Sequence, residues 1–175
     1  MSEFILIRPC EKYAEQISEY RKEFLDAGDS MDGTGALRRT EDPMEYIEIC
    51  KDYEDPEKVP ENRVPATQFL FIRESDDRLV GMIQVRHRFN DYLEKYAGHI
   101  GYSVRPSERR KGYAKAMLKA ALPFCREIGI EKVLITCDED NIGSEKTILS
   151  NGGVYESTVY EEEEKVYIKR FWIEL

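Results

Sequence analysis

The chain has 175 residues and a mass of 20.5 kDa, the size of one domain. Hydrophobic residues make up 41% and charged residues 35%, which excludes a low-complexity chain. The net charge of -9 argues against a general nucleic-acid binder, which would carry the opposite sign.

A chain of this length buries roughly 70% of its unfolded surface, so one core suffices. No run of 18 apolar residues offers a membrane span. The start, Phe4 to Arg8, reads as a strand, not as the apolar core of a signal peptide. Cys10, Cys50, Cys125 and Cys137 are scattered, with no C-x-x-C pair. They read as reduced thiols of a cytoplasmic protein. Neither they nor the two histidines form a metal-binding pattern, so no metal is expected.

Tyr13, Ile17, Tyr20 and Phe24 follow the first strand at helical spacing and predict a helix ending near Gly28. Asp29 to Arg39 reads as a loop, with Gly33-Thr34-Gly35 as a flexible turn. Pro43 opens a short helix carrying Met44, Ile47 and Cys50. Asp52 to Pro65 is acidic, holds three prolines and reads as a mobile loop. Gln68 to Arg73 and Leu79 to Phe89 form a predicted hairpin, and His99 to Val104 the next strand. A helix from Gly112 to Ile128 follows, with Pro123 expected to kink it or end it early. Glu131 to Cys137 is a strand and Asn141 to Ser150 a short helix closed by Asn151-Gly152-Gly153. Val154 to Tyr160 and Lys165 to Ile173 close the chain as a hairpin, with Glu161 to Glu164 as its solvated tip. The expected fold is a single mixed α/β domain.

Charge is unevenly spread. Residues 105–119 hold Arg105, Arg109, Arg110, Lys111, Lys115 and Lys119 against Glu108 alone, a net of +5 that leaves -14 for the rest. A basic island in an acidic chain suggests a local polyanion site, although a solvated helix face reads the same way. Its context is more specific. The strand ending at Val104 enters a turn, Arg109-Arg110-Lys111-Gly112-Tyr113-Ala114, that opens a helix. The first N–H groups of a helix lack internal partners, and the macrodipole adds positive potential there. A pyrophosphate can rest on the amides of Arg110 to Ala114, with Gly112 allowing close approach. No G-x-x-x-x-G-K-[ST] or G-x-G-x-x-G loop competes, and Gly101-Tyr102-Ser103-Val104-Arg105 lacks the final glycine of a nucleophile elbow.

In these residues the sequence resembles the GNAT superfamily of N-acetyltransferases. Arg109, Gly112 and Ala114 match its Gln/Arg-x-x-Gly-x-Gly/Ala turn, and Asn141, Ser144 and Gly152 match its Asn-x-x-Ala/Ser helix ending in glycine. The resemblance covers residues 67–175 well and the first 66 only in element order. It implies a mostly antiparallel central sheet whose middle strands splay apart, flanked by helices, and acetyl-CoA held between the His99 to Val104 and Glu131 to Cys137 strands. The backbone of Tyr102 and Val104 would pair with the pantetheine arm, and the Val104 N–H would face the thioester oxygen. Arg109, Arg110, Lys111, Gly112, Tyr113 and Ala114 would hold the pyrophosphate. Asn141 and Ser144 would meet the thiol end. A homodimer is implied by the resemblance alone.

The implied reaction is direct attack by a primary amine on the thioester. A lysine-like amine, with a pKa near 10.4, must first lose a proton at a cost of about 4.6 kcal/mol at pH 7. His99 is the candidate base, with a histidine hydrogen-bonded at a strand end as the other reading; His87, Asp91 and Glu94 are weaker candidates. Many family members place a tyrosine seven residues after the asparagine to protonate the thiolate. Here that position is Ile148, which leaves Ser144, Tyr155 or water for the task. The acidic remainder favours a cationic acceptor, with Asp29 to Arg39 and Asp52 to Pro65 as its wall, although Arg38 and Arg39 would equally suit a carboxylate. The reading from another class is a non-catalytic acyl-CoA-binding sensor or scaffold, favoured by Ile148. A third is transfer of another acyl group.

Overall fold

A computed structural model describes residues 3–175. Seven strands and four α-helices follow one another along these residues. The strands are β1 (Phe4–Ile7), β2 (Ala66–Arg73), β3 (Arg78–Arg86), β4 (Ile100–Val104), β5 (Lys132–Asp138), β6 (Val154–Glu161) and β7 (Val166–Glu174). The helices are α1 (Ala14–Ala27), α2 (Pro43–Tyr53), α3 (Tyr113–Glu127) and α4 (Ile142–Ser150). Every strand pairing is antiparallel, in two sheets of order β1-β2-β3-β4 and β5-β7-β6.

The four-stranded sheet is buried on both faces, so β2 is apolar almost throughout. Phe69 and Phe71 point to a core shared with Met117, Leu118 and Ala121 of α3 and Val133 and Ile135 of β5. Leu70 and Ile72 point the other way, to Ile17, Tyr20 and Phe24 of α1 and Tyr46 and Ile47 of α2. β3 accommodates both with a bulge: Phe71 pairs with Gly81 and Ile72 with Leu79, leaving Val80 extra.

Local chemistry explains the helix ends. Gly28, at φ 67°, closes α1 in the left-handed conformation. The Asp42 side chain accepts from the Met44 N–H ahead of Pro43 and starts α2. Pro123 neither ends nor shortens α3, which runs on to Glu127. Its ring is exposed, and the carbonyl it leaves unpaired belongs to exposed Lys119.

Several expectations are corrected. β3 stops at Arg86: the His87 N–H still donates to the Pro65 carbonyl in register, but Pro65 has no N–H to return and the ladder ends there. Residues 93–97, between the predicted strands, form a short π-helix. The Gly33-Thr34-Gly35 turn is docked rather than flexible. The Gly33 carbonyl accepts from Gln68 Nε2, the Thr34 hydroxyl donates to the Met31 carbonyl, and the Tyr46 hydroxyl donates to the Thr34 carbonyl. A Cβ at Gly33 would lie 2.3 Å from the Gly101 carbonyl oxygen, so only glycine lets this loop lie against β4. At the last hairpin Glu161 is buried, and its carboxylate accepts from the Glu164 N–H.

Candidate active site

β4 and β5 lie side by side but separate. They touch at one seam, where Gly98 bridges Ile135 and the His99 N–H donates to the Leu134 carbonyl at 2.8 Å. The Leu134 N–H returns the contact to His99 Nδ1 at 2.9 Å. Beyond the seam, among the described residues, β4 pairs only with β3 and β5 only with β7. The gap opens into a cavity of about 960 Å³, bordered by Tyr102 and Val104 on one side and Thr136, Cys137 and Asp138 on the other.

The register of β4 decides what its backbone offers to this gap. The Arg86 N–H donates to the His99 carbonyl and the Arg105 N–H to the Val80 carbonyl. Antiparallel positions alternate between hydrogen-bonded and free. Residues 99, 101, 103 and 105 therefore face β3, and Tyr102 and Val104 turn their N–H and C=O groups to the gap. The strand is held in this position from behind. The Tyr20 hydroxyl reaches Ser103 Oγ at 2.8 Å, Gly33 lies against Gly101, and Arg105 is buried on Glu19, Glu23 and the Leu79 carbonyl.

At the end of β4 the chain turns through two left-handed residues, Arg110 at φ 65° and Gly112 at φ 80°. Gly112 is the N-cap of α3 and supplies no side chain to it. The N–H groups of Tyr113, Ala114 and Lys115 therefore have no intrahelical partner. They open onto the same cavity, together with Arg109 and exposed Arg110. Space around Gly112 is empty: a Cβ there meets nothing within 4 Å.

The cations of this turn differ in use. Arg109 pairs with Asp29 at 2.7 Å and stacks on Phe24. Lys111 does not line the cavity; its ammonium donates to Glu108. Arg110 has no ion pair among the described residues. Glu108, buried and inconspicuous in sequence, anchors the turn. It accepts from Arg73 at 2.8 and 3.0 Å and from Lys111. Burial alone would raise its carboxyl, but the Arg73 hydrogen bond, with Lys111, holds it below the usual range. Arg73 also donates to the Tyr113 hydroxyl, which ties the start of α3 to β2.

Asn141 caps α4, its side chain accepting from the Ser144 N–H at 3.0 Å. This places the Ser144 hydroxyl in the cavity, 2.6 Å from the Tyr102 hydroxyl that reaches across from β4. Ile148 points away and is fully buried in the core shared with α3. Tyr155 is exposed and bonded to Thr158, outside the cavity.

The candidate bases are scattered. His99 is 7% exposed, stacks on Phe89, and spends Nδ1 on the Leu134 N–H. Burial first, then Arg86, pull its imidazole down to about 4. His87 bonds Thr67 away from the cavity, and Asp91 and Glu94 do not line it. Of the two expected wall segments, the first contributes Asp29, Ser30, Asp32 and Gly33. Asp52 to Pro65, Arg38 and Arg39 contribute nothing. Asp138, Glu161, Glu164, Tyr92 and Tyr96 line the cavity as well, none of which sequence spacing marks out. Asp138 is raised above the usual carboxylate range by burial and by Asp140, Asp32 and Glu164 around it.

A family model described as the acetyltransferase (GNAT) family matches residues 34–150, across the parted strands, the turn and α4. The chain belongs to the acetyltransferase (GNAT) family. No curated protein matches it in sequence. Solved structures share the GNAT fold at low identity. The microcin C7 self immunity acetyltransferase MccE, solved with acetyl-CoA and AMP, aligns with a TM-score of 0.71 and 20% identity over 99% of this chain and 93% of its own. RimJ of Mycobacterium smegmatis, solved with CoA-disulfide, gives 0.72 and 16% over 98% and 81%. The ribosomal-protein-S5-alanine acetyltransferase of Vibrio fischeri gives 0.70 and 14% over 99% and 96%. Among the described residues, no group of three or more His, Cys, Asp or Glu could hold a metal, and no helix is long and apolar enough to cross a membrane.

Proposed function

We propose that this GNAT protein transfers the acetyl group of acetyl-CoA to a primary amine. The observation that carries the reading is the gap between β4 and β5, with the unpaired backbone of Tyr102 and Val104 on one lip and the uncapped start of α3 at its end. A chain of amides and a thioester fits the first, and a pyrophosphate the second. Arg110 supplies countercharge, with Arg109 beside it. The Val104 N–H is placed to stabilise an oxyanion, a contribution of about 3 kcal/mol in comparable sites. Acetyl-CoA supplies the activated acyl group, and the chain positions it.

The acceptor enters from the mouth lined by Asp32, Asp138 and Glu164. Carboxylates there favour a cationic amine and can take its proton, directly or through water. His99 holds the seam instead, because its Nδ1 is occupied and its ring lies outside the cavity.

Release of free CoA thiol with spermidine, an aminoglycoside and a peptide bearing a free amino terminus tests the reading. Amine-dependent release supports it. Gly112→Asp should abolish the stabilisation of the protein by CoA in a thermal melt, because it sets a carboxylate where the diphosphate would lie. An unchanged shift overturns the assignment of the turn. A second reading, a sensor that binds acyl-CoA without turnover, draws on the burial of Ile148. Tight binding with no release across the panel would favour it.

A further inference from the structure

The position that resemblance gives to the thiolate's proton donor is Ile148, and it is in the core. The cavity nevertheless has two hydroxyls touching one another. Tyr102 extends from β4 across the gap, and its oxygen lies 2.6 Å from Ser144 Oγ at the first turn of α4, with the Ser144 carbonyl at 3.4 Å. Cys137 of β5 and Thr147 of α4 border the same space. The pair spans the gap where β4, β5 and α4 converge, on the strand that also turns the Tyr102 and Val104 N–H groups inward. A thioester whose carbonyl oxygen rests on that backbone has its sulfur one bond away from the carbonyl carbon.

We infer that the Tyr102 hydroxyl donates a hydrogen bond to the departing sulfur, and that Ser144 positions it by donating to the phenolic oxygen. This rests on the proposed acetyl transfer. The amine lone pair forms the C–N bond, the C–S bond breaks, and its electron pair leaves on sulfur. The proton lost by the amine nitrogen passes through water or a mouth carboxylate to solvent, from which the thiolate is reprotonated. Tyr102 keeps its own proton. Burial pushes its phenol up to about 12, which suits a donor that stays protonated and does not suit a proton-transferring acid. Tyr102 thus acts from β4, and Ser144 is a positioning residue.

The test needs no acceptor. The ultraviolet thiolate absorbance of CoA bound to the whole protein is titrated against pH, with desulfo-CoA, which lacks the thiol, as the blank for the protein's own cysteines. A hydrogen bond to a charged sulfur lowers the thiol pKa, so Tyr102→Phe should raise it by about one to two units. Ser144→Ala should raise it by less, and it serves alone if Tyr102→Phe does not fold. Titrations that coincide in wild type and both variants would overturn the inference and leave the acetyl-transfer reading standing. Failure of wild-type protein to bind CoA would overturn that reading, and this inference with it.

Discussion

His99 shows how burial reassigns a residue. As a lone histidine at the start of a strand it invites a catalytic role. In place, its ring accepts the Leu134 N–H and is sealed by Phe89. The folded pKa of about 4 lies below the ordinary value of 6.5, so the folded protein resists protonation there. Its contribution is complete above about pH 6.5 and is lost as pH falls toward 4, up to about 3 kcal/mol. His99→Ala should therefore lower the melting temperature at neutral pH, since the Leu134 N–H loses its partner at about 1–3 kcal/mol. It should also flatten the decline in stability between pH 6.5 and 4. The pH profile of acetyl transfer near neutrality should not move. A shifted profile with unchanged stability would restore the histidine to the chemistry. Ile148 teaches the same lesson. Its type announced that a hydroxyl was missing, but only the fold reveals that Tyr102 brings one from another element.

The turn between β4 and α3 was the most legible element, because the role proposed for it depends on backbone amides and on small residues at fixed offsets. Gly112 and Ala114 stand at those offsets, and the start of α3 follows from them. What fastens the turn was not legible. Glu108 read as one acid diluting a basic stretch, yet it joins Arg73 from β2, Lys111 and, through Arg73, Tyr113. The sequence separation of Arg73 and Glu108 hides the pair. Glu108→Ala should destabilise the fold by about 2 kcal/mol, because Arg73, of which only 14% of the side chain is exposed, keeps Asp76 but loses the carboxylate on its Nη1. It should raise the KM for acetyl-CoA more than it lowers kcat, since the amides lose their fixed direction. Thermal melts and initial-rate kinetics check both. Because the folded carboxyl is depressed, the wild-type contribution is present above the ordinary glutamate range and fades as pH falls through it.

At the scale of the molecule, the order of predicted strands and helices announced a mixed α/β domain, and element boundaries were read to within a few residues. The docking of the 29–36 loop and the acidic mouth were not, because they depend on segments distant in sequence: Gly33 meets Gly101, and Asp32 shares a cavity with Asp138 and Glu164. The cavity carries both signs of charge, Arg110 on the turn before α3 and these carboxylates on the 29–36 loop, β5 and the last hairpin. The KM for a cationic acceptor such as spermidine should therefore rise with salt between 0.05 and 0.5 M, by roughly severalfold as the Debye length shrinks. A neutral-bodied amine should respond less, and equal responses would remove charge from acceptor choice. The seam at His99 and Leu134 has a last consequence. Past it, β4 and β5 leave their facing edges without backbone partners, an omission most sheets do not tolerate. An extended molecule bound there, as proposed for acetyl-CoA, would serve as a surrogate strand and restore the missing ladder. Amide deuterium uptake at Tyr102 and Val104 should slow when CoA is added, so that the protein is a whole sheet only while its cargo is aboard.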